Sequence, residues 1–284
     1  MKYTTLLLLA AMPYISYCQN FYFTAFGGLA TYQGDLQGKT IDFSQSKPAF
    51  GVGVLYELSN KFLLRTAFTY GNIEAADEKN TKGKGIEFRN LRFNSAITEF
   101  HIGAEYNFFR LEGKSITPYV FGGVAVFHYN PYTFDSIGNK IFLQPLSTEG
   151  QGVAAYPNNK PYNLTQFAIP FGAGIKLQIN DNWQFGVEVG LRKTFTDYLD
   201  DVSNNYVDYN TLLLAKGKKA VELAYRGDEI LNAPLYPTDG TQRGNSKTDD
   251  WYYFSSIRIS KKLNNKASRN FNNNKKMGCP GNVL

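Results

Sequence analysis

Between Gln166 and Tyr198 the chain alternates without a slip, and this stretch restricts the possible folds more than any other. Phe167, Ile169, Phe171, Ala173, Ile175, Leu177 and Ile179 share one parity, while Gln166, Ala168, Pro170, Gly172, Gly174, Lys176 and Gln178 share the other. After Asn180-Asp181-Asn182 the pattern resumes, with Trp183, Phe185, Val187, Val189, Leu191 and Phe195 against Gln184, Gly186, Glu188, Gly190, Arg192, Thr194 and Thr196. A period of two over this length describes a β-hairpin with one bulky apolar face and one small polar face. Glycine mixed with charge suits the crowded inside of a narrow barrel better than a face in bulk water. Lipid is therefore expected on the apolar side.

The same alternation places further strands at 21–32, 50–58, 62–71, 99–108, 119–129 and 251–262, although the faces of 21–32 and 119–129 do not separate. The total is eight, and the connections alternate long and short. An all-β, eight-stranded antiparallel transmembrane β-barrel has this asymmetry, with long extracellular loops, short periplasmic turns and both termini on the periplasmic side. A mean hydropathy of −0.33 does not oppose it, since only alternate residues of such strands are apolar. A soluble, lipocalin-like barrel would turn the pattern inside out. Against that rival stand the inward glycines and the aromatics near strand ends, where membrane girdles are expected: Phe62, Tyr70, Phe108, Tyr119, Tyr129, Trp183, Phe195 and Trp251. Pro170 removes a ladder donor and is expected at a bulge. Long loops are expected at 73–91, 130–163 and 199–249, the last holding a helix near 211–228 on which Leu214, Val221 and Ala224 share a face.

The chain opens as an export signal over 1–18, in which Lys2 is followed by an apolar run and a cleavage site at Ser16-Tyr17-Cys18. Acylation of Cys18 is the lipoprotein alternative. The barrel is expected over 19–263 and a basic periplasmic tail over 264–284. Lys261, Lys262, Lys266, Arg269, Lys275 and Lys276 lie in a stretch without Asp or Glu, which reads as a partner-binding arm or as a solvated end. Cleavage after Cys18 leaves Cys279 as a free thiol or as half of an interchain disulfide.

The inward set Glu57, Arg65, Glu99, His101, Glu105, Lys176, Glu188, Arg192 and Arg258 is expected to form a paired lumen network that fills the barrel, giving a plug where a narrow ion path is the alternative. A lipid hydrolase would need a nucleophile beside a base. His128 lies near the outer end of its strand with no Ser, Asp or Glu in a recognisable pattern, so no enzyme is expected. Asp197, Asp200, Asp201 and Asp208 carry oxygen ligands for Ca²⁺ without EF-hand spacing, and loop capping is expected of them. Neither a zinc-type spacing nor a nucleotide motif is present, and no cofactor is expected.

Four segments carry a family likeness: Pro118-Tyr119-Val120-Phe121-Gly122-Gly123, Pro145-Leu146-Ser147-Thr148-Glu149-Gly150-Gln151-Gly152, Ile169-Pro170-Phe171-Gly172, and the run from Arg192 through Thr194-Phe195-Thr196-Asp197-Tyr198-Leu199-Asp200-Asp201-Val202-Ser203. In that order they resemble PorG-like outer-membrane barrels of the Bacteroidota type IX secretion system, with Ser147 where the pattern leads one to expect Gly. The resemblance implies a non-enzymatic part of a secretion machine that anchors a periplasmic ring made of a PorK/GldK-like lipoprotein and a PorN/GldN-like partner, with Cys279 the candidate for a bond to a ring subunit. Outer-membrane lipids, including lipopolysaccharide, would surround it. The other reading is an OmpX-like surface binding barrel that acts through its extracellular loops.

Overall fold

The computed structural model describes residues 20–37, 43–79, 86–111 and 115–263. The export signal, Cys18, Cys279 and the basic tail with Lys266, Arg269, Lys275 and Lys276 lie outside the described residues.

Eight long strands close on themselves: β1 (Phe21–Gln33), β2 (Ser46–Glu57), β3 (Phe62–Ala76), β4 (Arg92–Asn107), β5 (Ile116–Tyr129), β8 (Thr165–Asn180), β9 (Trp183–Thr194) and β10 (Trp251–Leu263). Each pairs antiparallel with its neighbour, and the ladder from Phe21↔Leu263 to Gln33↔Trp251 joins first to last. A small hairpin, β6 (Tyr132–Phe134) and β7 (Lys140–Phe142), hangs on β4 through Asn94↔Tyr132. Residues 21 and 263, the first and last strand positions, lie together at the short-turn end. No helix among the described residues is long and apolar enough to cross a membrane, so the strands alone are candidates to span one.

The organising hairpin has the expected facing. Phe167, Ile169, Phe171, Ile175, Val187 and Val189 are exposed on the outer wall, while Lys176, Gln178, Glu188 and Arg192 are buried inside. Asn180 Oδ1 accepts the backbone N–H groups of Asn182 and Trp183, each at 3.0 Å, which closes the turn with a side chain. Outward apolar residues recur around the wall, from Phe23 and Val52 through Phe68, Phe100 and Val124 to Ile257. Such a continuous apolar surface is stable only against lipid.

Several expectations are corrected. β3 runs into the loop expected at 73–91, and β4 starts at Arg92, well before the residues assigned to it, so that the two pair as far as Ala76↔Arg92. Facing parity never changes there, but polarity does: Ile73, Ala75, Phe93 and Ile97 point inward and are buried, while the alternate residues Glu74 and Asn94 are part-exposed outside. These strands have risen out of the lipid zone into water. In β5 both faces are apolar, Tyr119, Phe121, Phe127 and Tyr129 buried inside and Val120, Val124 and Val126 exposed outside. Tyr119 and Tyr129 are therefore lumen residues and not girdle residues. Phe62, Tyr70, Phe108, Trp183 and Phe195 do face outward, and Trp251 packs edge-on to Phe171. Pro170 makes no bulge. The β5–β8 ladder drops the rungs opposite Ile169 and Pro170 and resumes in unchanged register, so the missing N–H costs two rungs and no shift.

The long loops fold into a cap. Phe127, Tyr129, Tyr252 and Phe254 in the barrel mouth share one hydrophobic cluster with Leu36, Leu91, Leu143, Leu199, Val202 and Leu223 from the loops, so the core continues out of the barrel. The helix expected at 211–228 is two short ones, α2 (Tyr209–Lys216) and α3 (Lys218–Ala224), after a one-turn α1 (Ile86–Arg89). Gly217, at φ +86°, breaks them apart. Leu212 is the buried residue of α2, and Leu214 points to water, contrary to the expected shared face.

Candidate functional site

Three places hold the polar side chains that the sequence singles out: the lumen, the joint between barrel and cap, and the outer surface of the cap. Strand parity dictates the first, since Arg65, Glu99, His101, Glu105, Lys176, Glu188, Arg192 and Arg258 all occupy inward positions and all are buried. Arg65 donates two parallel bonds of 3.0 Å to Glu188, the fork geometry that suits a guanidinium to a carboxylate. Lys176 is bonded to Glu105, and Arg258 meets Glu105 at 3.0 Å and Glu188 at 3.4 Å. The Tyr119 hydroxyl donates to Glu188 at 2.8 Å. One layer nearer the cap, Arg192 pairs with Glu99 at 3.0 Å, and the Tyr252 hydroxyl donates to Glu99 at 2.7 Å. His101 links the layers. Its Nε2 accepts from Arg65 Nε at 3.1 Å, and its Nδ1 lies 3.5 Å from Glu99 Oε1.

The expected network thus forms, with one correction. Glu57 is half-exposed at the short-turn rim, where it accepts from Asn20 Nδ2 at 2.8 Å and makes no ion pair among the described residues. As the last residue of β2 it reaches water and needs no counter-ion. Aromatic rings fill what the charges leave. Arg65 stacks over Phe121 at 4.0 Å, and Arg192 over Phe254 at 4.5 Å. Two glycines make the room: a Cβ at Gly174 would stand 2.6 Å from the Tyr119 ring, and one at Gly190 would stand 2.5 Å from the Arg192 guanidinium. Packed in this way, the lumen is a plug.

The joint brings together two segments far apart in sequence. Ser147 holds a left-handed conformation (φ 52°), as do Gly150 and Gly152 (φ 73° and 74°), which explains why glycine suits position 147. That tight path sets Thr148 and Glu149 against residues 200–204. Thr148 and Tyr162 donate their hydroxyls to Asp201 at 2.6 and 2.7 Å, and Glu149 accepts the backbone N–H groups of Ser203 and Asn204 at 2.9 and 3.0 Å. Arg243 completes the knot, donating to Glu149 at 2.8 Å and to the Asp201 carbonyl at 2.7 Å. Burial alone would lower the Arg243 pKa, but Glu149 and Asp201 raise it above the ordinary value. Asp201 is pushed up to about 6 by burial, with Arg243 and the two hydroxyls pulling it back.

Beside this knot sits a group of a different kind. The Tyr32 hydroxyl lies 2.6 Å from Asp200 Oδ2 and 3.2 Å from Asp250 Oδ1, and both carboxyls are fully buried. Among the described residues neither has a cation within ion-pairing distance; the nearby Arg89 is bound to Asp77 at 2.6 Å. Burial first, then the neighbouring carboxylates, holds both well above the usual carboxylate range. Asp197 is pushed up to about 9, by burial and then by Asp200, Asp35 and Glu149. Asp208 stands apart and caps α2 through Thr211 N at 2.8 Å. Among the described residues no group of three or more His, Cys, Asp or Glu is placed to hold a metal ion.

Sequence reasoning found the lumen charges but missed Tyr119 and Tyr252 as their partners, and it missed Arg243, Asp250 and Tyr32 at the joint. Only tertiary closure juxtaposes these. His128 is exposed on the outer wall beside Thr165, with Nδ1 and Oγ1 3.0 Å apart across the β5–β8 ladder. Lys261 and Lys262 belong to β10, and Lys261 covers the Trp183 ring at 5.3 Å.

A family profile described as a domain of unknown function, DUF6089, matches residues 1–141 and 142–219. No curated protein matches the sequence. Among solved structures, Neisserial surface protein A is similar at 12% identity and a TM-score of 0.41, over 86% of this chain and 97% of that one. The attachment invasion locus protein Ail of Yersinia pestis follows at 9%, TM-score 0.40, over 86% and 98%. OprG of Pseudomonas aeruginosa follows at 10%, TM-score 0.39, over 85% and 95%.

Proposed function

Since the chain belongs to the DUF6089 family, whose description names no activity, we propose from its own residues that it is a non-enzymatic outer-membrane component of the type IX secretion machinery, which moors a periplasmic ring to the outer membrane. The carrying observation is the plugged lumen. A barrel filled by Arg65, Glu99, Glu105, Lys176, Glu188, Arg192 and Arg258 and stoppered by a folded cap offers no path for cargo, so its use lies in what it holds. Positions 21 and 263 share the short-turn end, so the basic tail leaves from that end, which on this reading is periplasmic. The family likeness of 145–152 and 192–203 supplies the partners: a PorK/GldK-like lipoprotein and its PorN/GldN-like companion. Cys279 is the candidate covalent tie, and Lys266, Arg269, Lys275 and Lys276 the electrostatic one.

Non-reducing electrophoresis of native envelopes tests this directly. A high-mass adduct that contains the ring lipoprotein and disappears with Cys279→Ser supports a covalent mooring; a monomer in both rejects it. Truncation after Lys262 is expected to release the ring from outer-membrane fractions, and retention of the ring in that variant rejects the tail as the tether. A surface-binding role in the manner of OmpX-like barrels is the second reading, favoured by the exposed Ile137 and Leu235 on a cleft in the cap.

A further inference from the structure

The cap carries a cleft that neither the lumen network nor the joint employs. It measures about 1010 Å³ and lies between the β6–β7 turn, helices α2 and α3, and the segment 227–239. Tyr209, Tyr225, Tyr236, Pro234, Pro237 and Val221 contribute to its walls. The tyrosines brace one another: Tyr236 stands edge-on to Tyr206 at 5.7 Å, to Tyr209 at 5.3 Å and to Tyr225 at 6.0 Å. The Tyr225 hydroxyl donates to the Pro234 carbonyl at 2.9 Å and fastens the 227–239 segment to α3. Walls fixed by contacts among themselves are preorganised, and an occupant loses little by having to order them.

The rim is apolar where a water-facing surface would ordinarily be polar. Ile137 and Leu235, which line it, are 80% and 91% exposed. One such side chain is unremarkable; two on one concavity walled by tyrosine and proline mark an interaction surface. Lipid is not what covers them. The cap lies beyond the level at which the outward residues of β3 and β4 have turned polar at Glu74 and Asn94, so the occupant arrives from water.

Charge decides its character. The cleft is lined by five carboxylates, Asp208, Glu222, Asp228, Glu229 and Asp239, against two ammonium groups, Lys218 and Lys219, on a chain whose net charge is +6. Asp208 is occupied as a helix cap, Glu222 by Lys219, and Glu229 by Arg226 and Arg92. Asp228 and Asp239, the latter hydrogen-bonded to Tyr156, are exposed at the rim with no ion pair among the described residues, and there they attract cations and repel acidic partners.

We propose that this cleft docks an extended polypeptide segment of another protein, in which leucine- or proline-type anchors are flanked by Lys or Arg. The barrel is then double-ended, with one partner at the short turns and a second on the cap. Only the compartment of the second partner rests on the sidedness proposed above; the docking itself does not.

The test uses the full-length protein in lipid nanodiscs, which leave both ends in solution, so that failure here is separable from failure of the mooring role. A random dodecapeptide display library is selected on the protein and counter-selected on the Asp228→Lys/Asp239→Lys variant. Both sites are exposed, and circular dichroism checks that the variant is folded. The expected result is enrichment of peptides that combine Lys or Arg with Leu or Pro, that bind at least about tenfold more weakly to the charge-reversed variant and to Leu235→Ser, and that weaken with salt. Enrichment of acidic peptides, no enrichment, or binding indifferent to both variants overturns the proposal. Self-association through Leu235, or lipopolysaccharide core oligosaccharide bound at these residues in place of peptide, overturns it equally.

Discussion

The lumen and the barrel–cap joint both bury several ionisable groups within a few ångströms of one another, yet they solve the cost in opposite ways. In the lumen every carboxylate has a guanidinium or ammonium beside it: Glu99 has Arg192, Glu188 has Arg65, and Glu105 has Arg258 and Lys176. At the joint Glu149 has Arg243, but Asp200 and Asp250 have no cation in ion-pairing distance among the described residues; they share the Tyr32 hydroxyl, and each accepts one backbone N–H, from Val202 and Leu199. Two carboxyls buried against one phenol cannot both be ionised cheaply, so protons take the place that arginine fills in the lumen. Pairing by a fixed cation is insensitive to pH, and pairing by a proton is not. The barrel is therefore expected to be constant where its cap is adjustable.

Breaking the lumen pairing is expected to have the largest effect. Arg192→Met leaves Glu99 buried without its cation and should cost about 3–5 kcal/mol of barrel stability, read as a shift in the urea midpoint of folding into lipid. The double substitution Arg192→Met/Glu99→Gln should recover more than half of that. Equal losses in the single and double variants would mean that the charges contribute no coupling. Next is Arg243→Met, which strands Glu149 at the joint. About 2–3 kcal/mol of local stability should vanish there, with hydrogen exchange accelerated at 199–204 and unchanged in β8 and β9.

The smallest and most diagnostic effect is of pH. Asp197, at about 9 when folded against an ordinary value near 3.8, binds a proton in the folded cap that the unfolded chain gives up through most of this range. Stability of the cap therefore falls as pH rises from about 4 to 9. Limited proteolysis of the loops should quicken between pH 6 and pH 9 while the barrel stays intact. Asp197→Asn should flatten part of that slope, and a slope of the opposite sign would refute proton pairing at the joint.

How much of this was legible in the sequence follows from where the polarity rule changes. Within the lipid zone apolar means outward, so β8 and β9 read correctly from Phe167 to Leu191. Above it apolar means inward. Ile73, Ala75, Phe93 and Ile97 keep the parity of their strands but reverse its meaning, and the reading of β3 stopped short of Ala76. In β5 valines outside and aromatics inside erase the contrast altogether. The cap had no period to read, because Leu36, Leu143, Leu199 and Leu223 converge from separate loops. The segments that carry the family likeness hinted at the joint through Glu149 and Asp200. Their partners Arg243 and Asp250 carried no signal, since only the folded loops bring them near.

A planar-bilayer recording of the purified protein tests the plugged lumen most directly. The network from Lys176 to Arg192, closed above by the cap, predicts no steady ionic current across a range of voltages. A stable ohmic conductance from the folded, full-length chain would contradict it.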